Sequence, residues 1–357
     1  MHSTLDLSEL NTKIGRLFMV GIPGTQLDSG TEALIRDYCP GGVILFSRNI
    51  KDPVQLARLC MDLQNRAMKY HGIPLFLAID QEGGRVARLR EPFTLFPGNT
   101  AIGEDSRPGE RAMEFAHVTA REMTLVGLNM DLAPVVDVRR GEPERHLNGR
   151  TFGDDPEKVA QLGQIIVKGL QQNGIMAVAK HFPGLGRTSV DPHHQLPTIQ
   201  MDAKEMEAIN FPPFAAAIRE GVSGVMTSHA IYPGLDPEHP ATLSWDILTK
   251  LLRERLNFQG LIITDDMEMG AIKKNWGVAN GAVMAFEAGA DLLLICEDQH
   301  SVSASINALR EKVLHGQISF ARLHQSIARI MNAKSRFLAN LKKVSVEEVT
   351  AYFERPV

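Results

Sequence analysis

Residues 174–194 read "GIMAVAKHFPGLGRTSVDPHH". From Gly174 to Ala179 the stretch is apolar with no polar alternation, as a parallel strand buried on both faces requires. It ends in Lys180 and His181. A segment broken by Pro183, Gly184 and Gly186 follows, and it cannot be helical. The same kind of short apolar run recurs along the chain as "FMVGI" (18–22), "GGVILF" (41–46), "PLFLAID" (74–80), "LNMDLAPVVD" (128–137), "GVSGVMTSHAIY" (221–232), "GLIITDD" (260–266) and "GADLLLICED" (289–298). Amphipathic stretches lie between, such as "PVQLARLCMDLQNRAMKY" (53–70) and "PEKVAQLGQIIVKGLQQNG" (156–174). The second has an acidic start, a late lysine and a glycine at its end, as helix termini prefer. Alternation of about eight strands with helices predicts an α/β fold, a (β/α)₈ TIM-type barrel forming a single domain over residues 1–357. A doubly wound open sheet is the alternative. "ISFARLHQSIARIMNAKSRFL" (318–338) reads as a closing helix.

The composition sets bounds on function. The 357 residues are 44% hydrophobic and 22% charged, an ordinary globular balance. A formal net charge of -4, with no clustered lysines and arginines, offers no field for nucleic acid. The N-terminus lacks the charged and apolar regions of a signal peptide, and no apolar run is long enough to span a membrane. Cys39, Cys60 and Cys296 are widely separated, which reads as free, buried thiols in a cytoplasmic protein.

Polar residues gather where the apolar runs stop. Asp80, Asp137, Lys180 with His181, Ser228 with His229, Asp265 with Asp266, and Glu297 all occupy such positions. One such residue is usually a turn or a cap. Many in the same register place ionisable groups at one end of the sheet, the end that carries the active site in a barrel.

These residues also carry a family resemblance. "KHFPGLGRTSVDPHHQLP" (180–197) resembles the signature of the β-N-acetylglucosaminidases of glycoside hydrolase family 3: Lys-His-Phe-Pro-Gly-x-Gly, four residues, then Asp-x-His. "AIDQEGGRVARL" (78–89), "NGRTFGDDP" (148–156) and "LLRERLNFQGLIITDD" (251–266) resemble further family segments, in the expected order. The resemblance covers nearly the whole chain. It is to the bacterial, cytoplasmic, single-domain form that cuts muropeptides in cell-wall recycling, and it implies a (β/α)₈ barrel.

Cleaving a glycosidic bond takes a proton for the leaving oxygen and a group to meet the developing oxocarbenium ion. The resemblance makes Asp265 the nucleophile of a retaining mechanism, since the reactive aspartate directly follows Thr264. Asp266 is then a helix cap or a supporting hydrogen-bond partner. His193 becomes the proton donor, and a histidine can donate and then accept near neutrality. Asp191 can bind one ring nitrogen, fix the tautomer and stabilise the imidazolium. Gly184 and Gly186 would let this loop move over a bound sugar. The plainer alternative is a solvated loop of surface histidines. His194 is a rival for His193, but the Asp-x-His spacing favours His193 and leaves His194 a bystander.

The resemblance further makes Lys180, His181, Asp80, Arg88 and Arg150 binders of sugar hydroxyls. Arg88 also reads as a surface residue and Asp80 as the cap of a turn. Asp137, Arg85, His229 and Glu297 either join the site or support it. No metal or other cofactor is expected: the histidines are interrupted by Pro183, Gly184 and Gly186, and neither a His-x-x-x-His pair nor a phosphate loop is present. The expected function is that of an exo-β-N-acetylglucosaminidase removing terminal non-reducing GlcNAc from GlcNAc–1,6-anhydro-MurNAc peptides, as a monomer or weak oligomer. A family β-glycoside phosphorylase or a β-glucosidase or β-xylosidase is the alternative within the family. An inactive sugar-binding barrel is the alternative outside catalysis.

Overall fold

The computed structural model describes residues 7–141, 145–188, 190–339 and 341–354. The ends of the expected 1–357 domain, residues 1–6 and 355–357, lie outside them. Eight apolar runs form eight strands: β1 (Phe18–Gly21), β2 (Gly42–Leu45), β3 (Phe76–Ile79), β4 (Met130–Asp131), β5 (Met176–Phe182), β6 (Gly224–Thr227), β7 (Leu261–Asp266) and β8 (Leu292–Ile295). They close into a parallel barrel in chain order, with β1 paired to both β2 and β8. The sheet is therefore the barrel and not the open alternative. Most strand residues are fully buried, which explains why the runs show no alternation.

Helices follow the strands and cover the barrel's outside. Pro53–His71 starts behind Asp52, whose carboxylate accepts from the Gln55 amide, and Pro53 fills the first turn. Pro156–Gln172 starts the same way behind Asp155, and the chain turns out of it at Gly174, in the left-handed region (φ +83°). The closing helix is Phe320–Leu338, capped by Ser319.

Two apolar runs are less regular than their composition suggests. In "LNMDLAPVVD" the ladder is limited to Met130–Asp131 plus a bridge from Val135 to Lys180, because Pro134 has no amide to donate. The run "GVSGVMTSHAIY" leaves the barrel after Thr227, and Ile231–Tyr232 pairs with Asp236–Pro240 in a small hairpin outside it. Cys39, Cys60 and Cys296 are free and buried. Among the described residues no helix is long and apolar enough to cross a membrane.

The two ends of the barrel differ. At the N-terminal end of β8, buried Asp291 is held by Arg253 and Arg329 at 2.6 and 3.1 Å and by the Ile262 amide. This is a structural ion cluster. Asp80, Lys180, His181 and Asp265 lie toward the opposite, C-terminal end of the strands.

Candidate active site

At the C-terminal ends of β3 and β5 the charges interlock. Lys180 is 2% exposed, and its Nζ lies 2.8 Å from Oδ1 of Asp80 and 2.7 Å from Oε1 of Glu82. Arg150 grips the same Glu82 with Nε and Nη2, both at 2.8 Å, a bidentate fork. Arg88 donates to the second Asp80 oxygen at 3.1 Å. A short hairpin, Gln81–Gly83 with Val86–Ala87, brings Arg88 back toward Asp80, and the Gln81 side chain accepts from the Arg88 and Leu89 amides.

His181 is oriented from behind. Oδ2 of Asp137 lies 2.7 Å from its Nδ1, and Oδ1 of Asp137 accepts the Leu185 amide at 2.6 Å. A carboxylate accepts, so Nδ1 donates to Asp137, and Nε2 faces Arg150, 3.5 Å from its Nη2.

The opening loop of the sequence lies across the mouth. Gly184 has φ +122°, and a Cβ on Gly186 would sit 1.9 Å from the Val138 carbonyl oxygen. The Tyr232 hydroxyl donates to the Gly184 carbonyl at 3.0 Å, and the Arg140 amide to that of Gly186 at 2.9 Å. Gly186 thus admits the Val138 backbone, and a Cβ on Gly184 would meet the Asn210 side chain. Further on, Oδ1 of Asp191 accepts from the His193 backbone amide at 2.9 Å and from its Nδ1 at 2.7 Å.

Asp80, Arg88, Arg150, Lys180, His181, Asp191, His193 and Asp265 all line one cavity of about 190 Å³. A cavity of about 840 Å³ opens between Pro53–His71 and Phe320–Leu338, bordered by Asn129 and Lys334. Among the described residues no carboxylate lines that larger cavity, so it lacks the groups a glycosidic bond requires. The smaller cavity has them. The profile of the glycosyl hydrolase family 3 N-terminal domain matches residues 9–333.

The chain belongs to glycoside hydrolase family 3. This family 3 chain is 35% identical to a β-hexosaminidase of Nitrosomonas eutropha over 82% of its own length and 84% of that protein. It is 33% identical to β-hexosaminidase A of Pseudoalteromonas piscicida over 91% of its length, spanning 58% of that relative. Among solved structures it is similar to a family 3 β-N-acetylglucosaminidase from Paenibacillus sp., with a TM-score of 0.90 and 38% identity, covering 99% of this chain and 68% of that one. NagZ from Neisseria gonorrhoeae superposes with a TM-score of 0.79 at 29% identity, covering 95% and 93% of the two chains. The chain is therefore a glycoside hydrolase whose kin are β-N-acetylhexosaminidases.

Electrostatics separate the two adjacent carboxylates at the end of β7, Asp265 and Asp266. Burial would raise both. Asp265 is nonetheless held below the ordinary carboxylate range, because His229, His181 and the Asp266 amide, 2.8 Å from its Oδ1, favour its charge. Burial prevails at Asp266 and pushes it up to about 7. Asp266 also accepts the Glu268 amide at 3.0 Å, closing the turn after the strand. Asp80 is held well down despite its burial, by Lys180 and Arg88. Glu82, also buried, is lowered to about 2 by Arg150 and Lys180.

Glu82 escaped the sequence reading, although it stands inside the quoted "DQEGG" and organises both Lys180 and Arg150. Asp137 was weighed and proves to be the residue that orients His181. His146, in the segment leading to Arg150, also borders the cavity. His229 lies beside β7, with Nε2 donating to the Asp266 carbonyl at 2.9 Å. Arg85 borders the cavity and donates to the Arg145 carbonyl. Glu297 is exposed and 4.0 Å from Arg48. Among the described residues no group of three or more His, Cys, Asp or Glu side chains is arranged to hold a metal.

Proposed function

We propose that this β-N-acetylhexosaminidase is a retaining, exo-acting β-N-acetylglucosaminidase with Asp265 as nucleophile and His193, oriented by Asp191, as acid/base. The observation that carries the reading is that ionised Asp265 and the His193–Asp191 pair line the same small cavity. Two neighbouring environments drive Asp265 and Asp266 apart in pKa, the pattern expected where one carboxylate has been set aside for chemistry.

In the first step an Asp265 oxygen attacks the anomeric carbon as the bond to the leaving oxygen breaks. Protonated His193 gives its Nε2 proton to that oxygen, while its Nδ1–H stays on Asp191. The product is a glycosyl ester on Asp265 and a neutral imidazole. In the second step that imidazole takes a proton from water, the water oxygen bonds to the anomeric carbon, and Asp265 leaves as a carboxylate. Two inversions retain the configuration.

Asp80, Arg88, Lys180, His181 and Arg150 would take the hydroxyls of one terminal GlcNAc. At about 190 Å³ the cavity is below the roughly 300–1,000 Å³ of drug-sized sites, which supports an exo enzyme that encloses one ring. The substrate we propose is a GlcNAc–1,6-anhydro-MurNAc peptide, met in the cytoplasm during cell-wall recycling. The test is incubation with that purified muropeptide, with and without phosphate, and mass spectrometry of the products. Free GlcNAc in both arms is expected. GlcNAc phosphate in the phosphate arm, or an untouched muropeptide, would overturn the proposal.

A further inference from the structure

We propose that Gly270 is a positioning residue for this reaction: its missing side chain forms the notch that latches the His193 loop to the segment following the nucleophile. The proposal rests on the reading of Asp265 as nucleophile and His193 as acid/base. Three hydrogen bonds join the two segments. The Gly270 amide donates to the His193 carbonyl at 3.0 Å, the Ala271 amide to that of Pro192 at 3.1 Å, and Nζ of Lys274 to that of His194 at 2.9 Å. Three consecutive loop residues are thus fastened to one short stretch that begins a few residues after Asp265.

The contact leaves no room for a methyl group. A Cβ on Gly270 would lie 2.8 Å from the His193 carbonyl oxygen, 2.9 Å from that of His194 and 3.1 Å from the His194 carbonyl carbon. All three are backbone atoms of the loop, so the clash is relieved only if the loop and the turn at Gly270 move apart. Gly270 itself has no need to be glycine: it opens the helical turn Gly270–Lys273 without a positive φ, where alanine is the better helix former. The requirement comes from the loop. Its other end is already fixed at Gly184–Gly186, so the Gly270 contact sets where the ring lies relative to Asp265. Misplacement of a reacting group by about 1 Å can cost roughly 100-fold in rate.

The experiment compares the full chain with Gly270→Ala, Lys274→Met, His193→Ala and the Gly270→Ala/His193→Ala pair, each first checked for folding by thermal melting. Hydrogen exchange at the amides of residues 270 and 271, which donate to the loop carbonyls, reads the latch directly. Rates on a methyl and a dinitrophenyl β-N-acetylglucosaminide read the chemistry. In Gly270→Ala, exchange at the amides of residues 270 and 271 should rise about tenfold or more. kcat/KM should fall about 10- to 100-fold on the methyl glycoside and under about threefold on the dinitrophenyl glycoside. Lys274→Met should shift both in the same direction by less, and Gly270→Ala should add under about twofold once His193 is gone. Unchanged exchange in Gly270→Ala would overturn the latch. So would equal losses on both substrates when His193→Ala itself separates them. If His193→Ala fails to separate them, the acid assignment falls and exchange alone decides the latch.

Discussion

Asp191 holds His193 twice through one oxygen: Oδ1 accepts both the ring Nδ1–H at 2.7 Å and the backbone amide at 2.9 Å. Although its partial burial works against the charge, these bonds keep the Asp191 carboxyl below its ordinary range. His193→Ala should therefore cost about 10²–10⁴ in rate on substrates with poor leaving groups and far less on nitrophenyl glycosides. Asp191→Ala should show the same dependence on leaving group with a smaller loss, because the ring stays while its orientation goes. Steady-state kinetics across a series of leaving groups measures both. Equal losses along the series would remove His193 from the acid role.

Glu82 is the common partner of Lys180 and Arg150, and it is buried. Removing it leaves buried Lys180 with Asp80 alone and deprives Arg150 of its bidentate carboxylate. Glu82→Ala should lower stability by roughly 3–5 kcal/mol. Glu82→Gln, which can still accept from Arg150, should cost less in stability yet weaken kcat/KM about tenfold or more as Lys180 and Arg150 lose their placement. Denaturant unfolding and kinetics on the two variants separate these effects. A Gln variant with native kcat/KM would show that Glu82 does not organise the site.

Lys334, on the closing helix, is buried and donates to the Pro74 carbonyl at 2.6 Å. Burial pushes its amine down to about 7. Between about pH 7 and the unfolded lysine value of roughly 10.4, the unfolded chain binds more protons at this position than the folded one. Its contribution to stability therefore rises with pH across that window. Lys334→Met should raise the melting temperature more at about pH 6 than at about pH 10, because only the charged amine opposes burial. Calorimetry at several pH values checks this, and a variant whose gain grew with pH would contradict it.

Most of the barrel was legible because buried parallel strands have to be apolar on both faces, and all eight runs carried that mark. Pro134 and the departure after Thr227 were harder to read: the apolar character of "LNMDLAPVVD" and "GVSGVMTSHAIY" continues where the ladder does not. The candidate site was legible wherever a side chain ends a strand, as with Asp80, Lys180, His181 and Asp265. Glu82 was missed because its task is set by residues distant in sequence, Arg150 and Lys180, and nothing local to "DQEGG" shows them. The packing role of Gly186 was hidden for a related reason. A glycine that admits Val138 from another segment looks the same in sequence as one that merely bends.

The central claim is that Asp265, and not its neighbour Asp266, bonds to the sugar. Inactivation with a 2-deoxy-2-fluoro-type glycoside, proteolysis and fragment-ion mass spectrometry test it most directly. The account requires the glycosyl mass on Asp265 and a folded Asp265→Asn variant with almost no turnover. A label on Asp266, or full activity in Asp265→Asn, would contradict it.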